Sequence, residues 1–302
     1  MYIDDSVISN EEKVILNLRT LFSSFGYRSY KINKFEEYDL YVRNKDFLVS
    51  DGIISFTDKN GKLMALKPDV TLSIVNSHRY EPGKINKLYY DEKVYRVTSG
   101  SQGYREITQA GLEALGDINE STISEVLFAA ASSLKAIEND YVLNVSHTGL
   151  MEEIVDFLGI APEHKAAVIR AAGMKAFHEI ESIARVNGVS QDKLETFRRM
   201  LYLPKDCACA LSELEKLQVS DRFSEIAGYL KNVLSPLSAL NVCIDFSVPV
   251  NMRYYNGIVM NGFVKSIPQA LLSGGRYDPL LRRVGKQGAA IGFAVYLDRL
   301  EG

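Results

Sequence analysis

The 302 residues include 46% hydrophobic and 24% charged side chains, the balance of an ordinary globular protein with enough apolar content for a core that needs no staple. The formal net charge of -3 gives no overall bias toward nucleic acid or an anionic membrane. No apolar run reaches membrane-spanning length, which excludes a transmembrane helix.

Ser9-x-x-Glu12 has the spacing of a capping box. Behind it, Val14, Leu18, Leu21, Phe22 and Phe25 recur at helical spacing until Gly26 stops the run. From Gly26 to about residue 147 the texture is that of short strands. Residues 52–66 read as a hairpin with Asp58-Lys59-Asn60-Gly61 at its tip. Leu88-Tyr89-Tyr90 and Tyr95-Arg96-Val97 are strand pieces separated by the charged Asp91-Glu92-Lys93. A helix is expected over Ser121–Glu138, and a strand over Tyr141–Val145.

Helical patterns follow over 150–158, 162–186, 191–203 and 222–234, punctuated by Gly159, Gly188, Pro204 and Ser235-Pro236. Alternation returns at Val242, Ile244, Phe246 and Val248, and Gly257–Val264 is expected to pair with that strand antiparallel. A final helix is expected over Ala289–Leu300. Runs of strands with segregated helices predict an α+β fold with an antiparallel sheet. The predicted core is residues 1–148 and 241–302, with a helical insertion over 149–240.

Three segments carry the polar chemistry. In Tyr104–Gly116, read as a strand, Arg105, Ile107, Gln109, Gly111 and Glu113 share one face. Arg, Gln and Glu around a Gly suit a ligand floor, with Gly allowing close approach. A solvated edge strand accounts for the spacing equally well. In Leu66-Lys-Pro-Asp-Val-Thr71, Pro68 sets a turn or extended geometry that places Asp69 and Thr71 together, as for a ligand's ammonium. An Asx-type turn is the commoner explanation. On the expected last helix, Gly292, Tyr296 and Arg299 form a face that pairs a gap with a cation usable for phosphate. Helix packing through Gly292 beside a solvated Arg299 is the simpler account of each residue alone.

Cys207, Cys209 and Cys243 are the only cysteines, and Cys207-x-Cys209 lacks a second ligand pair. His78, His147, His164 and His178 do not cluster at metal spacing, so no metal and no cofactor is expected. The odd, low cysteine count and the absence of an apolar signal core at the N-terminus predict a cytoplasmic protein.

Taken in order, these segments resemble the three motifs of the class II aminoacyl-tRNA synthetases, specifically the histidyl branch. Gly26–Glu36 is similar to motif 1, the dimer motif, with Asn33 in place of its usual proline. Tyr95-Arg96 with Tyr104-Arg105 is similar to motif 2, and Gly288–Leu300 to motif 3. Gln109-Ala-Gly-Leu-Glu113 matches the strand that holds histidine in this family, and Asn251-Met-Arg-Tyr-Tyr-Asn256 resembles its histidine-specific segment. The resemblance implies that Asp69 and Thr71 take the α-ammonium of histidine and that Arg96 and Gln109 face its polar backbone end. It further implies that Glu113 accepts from an imidazole N–H and that Tyr254 and Tyr255 close the pocket. Arg105 and Arg299 are then the candidates for residual nucleotide or phosphate contact.

The departures point away from aminoacylation. Val250 stands where the family has an activating arginine, and an apolar side chain supplies neither charge nor donors. Thr98 replaces a glutamate of motif 2, and no anticodon-reading segment follows motif 3 in these residues. This pattern is similar to the regulatory subunits of ATP phosphoribosyltransferase, synthetase-like dimers without aminoacylation activity. The resemblance implies no catalytic residue and a short catalytic subunit as hetero-oligomeric partner. It also implies a homodimer, histidine as effector, and neither membrane nor tRNA as partner. The alternatives are a histidine–tRNA ligase catalytic core lacking its anticodon-binding domain, and a bare dimerisation scaffold.

Overall fold

The structure, a computed structural model, describes residues 8–48, 52–97, 103–247 and 254–301. Helix α1 (Asn10–Ser24) starts at the expected capping box. Glu12 N–H donates to Ser9 Oγ at 3.1 Å, and Ser9 N–H donates to the Glu12 carboxylate at 2.8 Å. The helix buries Leu18 and Phe22, and the chain turns out of it at Gly26, whose φ of +80° favours glycine.

Then come β1 (Arg28–Ser29), β2 (Phe35–Glu37), α2 (Tyr38–Arg43), β3 (Ser55–Thr57), β4 (Leu63–Leu66) and α3 (Val70–Ser77). Strands β3 and β4 are the expected hairpin, whose tip is fixed by Asp58 accepting from the N–H groups of Asn60 and Lys62, each at 2.8 Å. With β2 they form a small antiparallel sheet in the order β2-β4-β3. Helices α2 and α3 interrupt a stretch expected to hold only short strands; at six and eight residues they are too brief to display a helical period.

Strands β5 (Ile85–Val97) and β6 (Tyr104–Gly116) are 13 residues each and pair antiparallel throughout. The charged Asp91–Lys93 does not split β5, because each charge has a partner. Asp91 binds Arg19 at 2.5 Å and Lys31 at 2.7 Å, Glu92 binds the buried Lys67 at 2.9 Å, and Lys93 binds Glu106.

Helix α4 (Glu120–Ile137) and β7 (Tyr141–His147) lead into six helices: α5 (Thr148–Leu158), α6 (Pro162–Gly173), α7 (Phe177–Val186), α8 (Gln191–Leu201), α9 (Cys207–Lys216) and α10 (Asp221–Leu234). The single helix expected over 162–186 is two, because Lys175 adopts φ +52° between them while its ammonium binds Asp245 at 3.0 Å. Cys207 and Cys209 lie in the first turn of α9, capped by Asp206. Val168, Phe197 and Phe223 of this helical stretch belong to the same continuous apolar core as Leu112, Val145 and Met260 of the sheet.

The chain ends with β8 (Val242–Ile244), β9 (Ile258–Val264), β10 (Ile267–Arg276), α11 (Asp278–Arg283), β11 (Ala289–Tyr296) and a 3-10 turn over Leu297–Glu301. The main sheet has the order β1-β5-β6-β11-β10-β9-β7-β8, antiparallel except for the outermost pairs β1–β5 and β7–β8. The α+β fold with flanking helices is as expected. Two further expectations fail. Strand β9 pairs with β7 and β10, not with β8. Residues 289–296 are a central strand, not a helix; a strand packed on both faces loses its alternation and leaves an apolar run that suits either element. Among the described residues no helix is long and apolar enough to cross a membrane, and no group of side chains could hold a metal ion.

Candidate ligand-binding site

The long strands β5, β6, β10 and β11 form a floor, and the start of α3 and residues 254–255 wall it. Between them lies a cavity of about 350 Å³. All seven residues expected at the amino-acid pocket line it: Asp69, Thr71, Arg96, Gln109, Glu113, Tyr254 and Tyr255. Strand geometry supplies part of this convergence, since Gln109 and Glu113 project from the same face of β6. Tertiary packing supplies the rest by bringing a helix start and a separate loop over that face.

Glu113 is the most constrained of these groups. It is 2% exposed. Thr71 Oγ1 donates to one carboxylate oxygen at 2.7 Å and Tyr277 OH to the other at 2.5 Å. Burial nevertheless dominates and pushes its carboxyl up to about 8, with Asp69 adding repulsion and the two hydroxyls opposing the rise. Asp69 is the N-cap of α3: its Oδ1 accepts from Leu72 N–H at 2.7 Å. Burial raises its carboxyl as well, against that backbone donor and Arg96. Arg96 donates through Nε to Pro68 O at 3.0 Å, which joins β5 to the turn before α3.

Gln109 is 3% exposed, and its Nε2 has no hydrogen-bond partner among the described residues. Leaving such a donor unmatched costs about 1–3 kcal/mol. A ligand acceptor in the cavity would satisfy it.

The two central glycines serve the protein's own packing. Gly111 was expected to admit a ligand; a Cβ there would instead overlap the Phe293 carbonyl oxygen and lie 2.6 Å from the Tyr90 hydroxyl. A Cβ on Gly292 would overlap the Glu113 carboxylate, which sits directly across β6–β11 from it. Sequence reading missed Tyr90, Ser273, Tyr277 and Tyr296, which also line the cavity. Tyr277 follows the Gly274-Gly-Arg276 end of β10, which carries no period that marks a site; Tyr296 falls in the segment expected to be a helix, which does not form. Tyr254 packs edge-on against Tyr255 with ring centroids 4.6 Å apart.

Arg105 and Arg299 do not line the cavity. Arg105 is an exposed residue of β6. Arg299 leaves the 3-10 turn, donates to Ala270 O and stacks over Tyr296 with its guanidinium carbon 4.2 Å from the ring centroid. The face expected from helical spacing of Gly292, Tyr296 and Arg299 therefore does not exist. Thr98, Val250 and residues 251–253 lie outside the described residues.

A family model described as histidyl-tRNA synthetase matches residues 4–300. The ATP phosphoribosyltransferase regulatory subunit of Caldanaerobacter subterraneus is 31% identical over 294 residues, covering 93% of this chain and 75% of that protein. This chain belongs to the histidyl-tRNA synthetase family, among the ATP phosphoribosyltransferase regulatory subunits. The fold agrees. A structure of an ATP phosphoribosyltransferase regulatory subunit/histidyl-tRNA synthetase from Bacillus halodurans superimposes with a TM-score of 0.81 at 22% identity, covering 96% of this chain and 77% of that one. The ATP phosphoribosyl transferase (HisG:HisZ) complex of Thermotoga maritima contains a chain that superimposes with a TM-score of 0.73 at 17% identity, covering 95% of this chain and 97% of that one.

Proposed function

We propose that this chain is the non-catalytic regulatory subunit of a short-form ATP phosphoribosyltransferase, required for the first step of histidine biosynthesis and for its feedback regulation by histidine. Kinship with the regulatory subunits supports the assignment, and a relative of the same fold occurs in a complex of that enzyme. The observation that carries the ligand is the buried Gln109 amide without a partner, facing the same small cavity as Glu113. In this reading Asp69 and Thr71 take the α-ammonium of histidine. Arg96 and Gln109 meet its carboxylate end, Glu113 meets the imidazole, and Tyr254 and Tyr255 close the site. The chain works as a cytoplasmic homodimer whose 149–240 stretch is an insertion into the core formed by 1–148 and 241–302.

The absence of chemistry is argued from Val250, which brings no charge to the place of an activating arginine, and from Arg299, which is engaged with its own chain. Histidine regulates only if it binds two states of the assembly differently, and such couplings are typically about 1–3 kcal/mol.

Two assays test this. Mixing the chain with a short phosphoribosyltransferase is expected to raise its turnover, and histidine to lower it; no stimulation counts against the proposal. ATP–pyrophosphate exchange with histidine is expected to be absent. Clear exchange would replace this reading with a histidine–tRNA ligase core.

A further inference from the structure

Tyr296 is one wall of the cavity. Its ring lines the cavity directly across β6–β11 from Gln109, and its hydroxyl lies 2.7 Å from Ser273 Oγ on β10. The same ring carries the Arg299 guanidinium at stacking distance, and that guanidinium is also bonded to the Ala270 carbonyl. A guanidinium has two planar faces and a fork of donors, and stacks on a purine as readily as on a phenol. Here one face and one donor are engaged within the chain.

Arg96 and Arg105 oppose one another across β5–β6, an arrangement unfavourable unless an anion is near. The structure supplies one from within. Asp298 is half-buried and its Oδ1 has no hydrogen-bond partner among the described residues; burial raises its carboxyl, and the charges of Arg299, Arg105 and Arg96 oppose that rise. An incoming phosphate would meet that carboxylate.

We infer that Tyr296 is a built-in plug: it covers one stacking face of Arg299, walls the small cavity across from Gln109, and excludes adenine nucleotides. This deepens the proposed function, since it makes the pocket one for an unactivated amino acid with nothing attached beyond its carboxylate, and it rests on that reading only for the amino acid's identity.

Calorimetric titration tests it, with ATP and histidine injected separately. Wild-type protein is expected to show no heat from ATP. Tyr296→Ala, checked for folding by its thermal melt, is expected to bind ATP at least about tenfold more tightly, the scale of one base-stacking contact. Tyr296→Leu keeps apolar bulk should alanine fail to fold; it removes the aromatic face and is expected to shift in the same direction by a smaller factor. ATP binding by the wild type overturns the inference without any variant, as does a folded Tyr296→Ala protein that remains silent. Gain of ATP binding in the variant together with no histidine binding by the wild type would uphold the plug and remove histidine as the pocket's ligand.

Discussion

Glu113 and Gly292 stand directly opposite each other on β6 and β11, and the Glu113 carboxylate fills the space that any side chain at 292 would need. Glycine is required there by packing, since the nearest obstacles are a buried carboxylate and the Leu112 carbonyl. Gly292→Ala must push Glu113 out of its hydrogen bonds with Thr71 and Tyr277. We expect a destabilisation of about 1–3 kcal/mol, read from denaturant unfolding, with loss of histidine binding by calorimetry. A variant with native stability and affinity would show that the carboxylate's position is immaterial.

Burial outweighs two donors and pushes the Glu113 carboxyl up to about 8. At neutral pH the protein holds that proton, and free histidine has an imidazole near 6.5. One proton shared between them gives an imidazolium–carboxylate pair. Histidine affinity is therefore expected to be bell-shaped, falling below about 6.5 and above about 8. Tyr277→Phe removes a donor that stabilises the carboxylate, so the alkaline limb should move to higher pH. A flat profile from pH 6 to 9 would exclude Glu113 as the imidazole's partner.

The same group makes a separate prediction for the ligand-free protein. Its folded value lies above the unfolded one, so the folded state binds more protons between the two. Its contribution to stability is full below the unfolded value, near 4.3, and is lost as pH rises through about 8. Glu113→Gln should flatten that part of the stability–pH curve; thermal melts across the window decide it.

Gln109 separates binding from folding. Its unmatched Nε2 is a cost carried by the empty protein. Gln109→Met keeps the bulk and removes that donor, so we expect stability to rise by up to about 1 kcal/mol while histidine affinity falls about tenfold or more. A fall in stability would mean that the amide is satisfied within the folded protein.

Asp69 caps α3 as well as facing the cavity. Asp69→Ala would lose the cap at about 1 kcal/mol and confuse the two roles. Asp69→Asn keeps an equally good cap and removes the charge. Unchanged melting with at least about tenfold weaker histidine binding is the expected result. Equal affinity for Asn and Asp would rule out an ion pair with the ligand's ammonium.

The chain itself determined the α+β class, the capping box, the hairpin tip and the period-two face that carries Gln109 and Glu113. Each depends on neighbours within a few residues, so each leaves a local periodicity or spacing. Motif resemblance named all seven expected pocket residues, from segments nearly two hundred residues apart. Only the tertiary structure decided that residues 289–296 are a strand, because an apolar run buried on both faces carries no period. Only it revealed that β5 runs through three charged residues, since Arg19, Lys31, Lys67 and Glu106 come from other elements. The use of Arg299 was settled in the same way. Its sequence position suggested a phosphate contact, and the 3-10 turn after β11 lays it on Tyr296. Length and mild acidity bound only a globular protein; packing decides that the sheet's pocket takes Tyr296 as one of its walls.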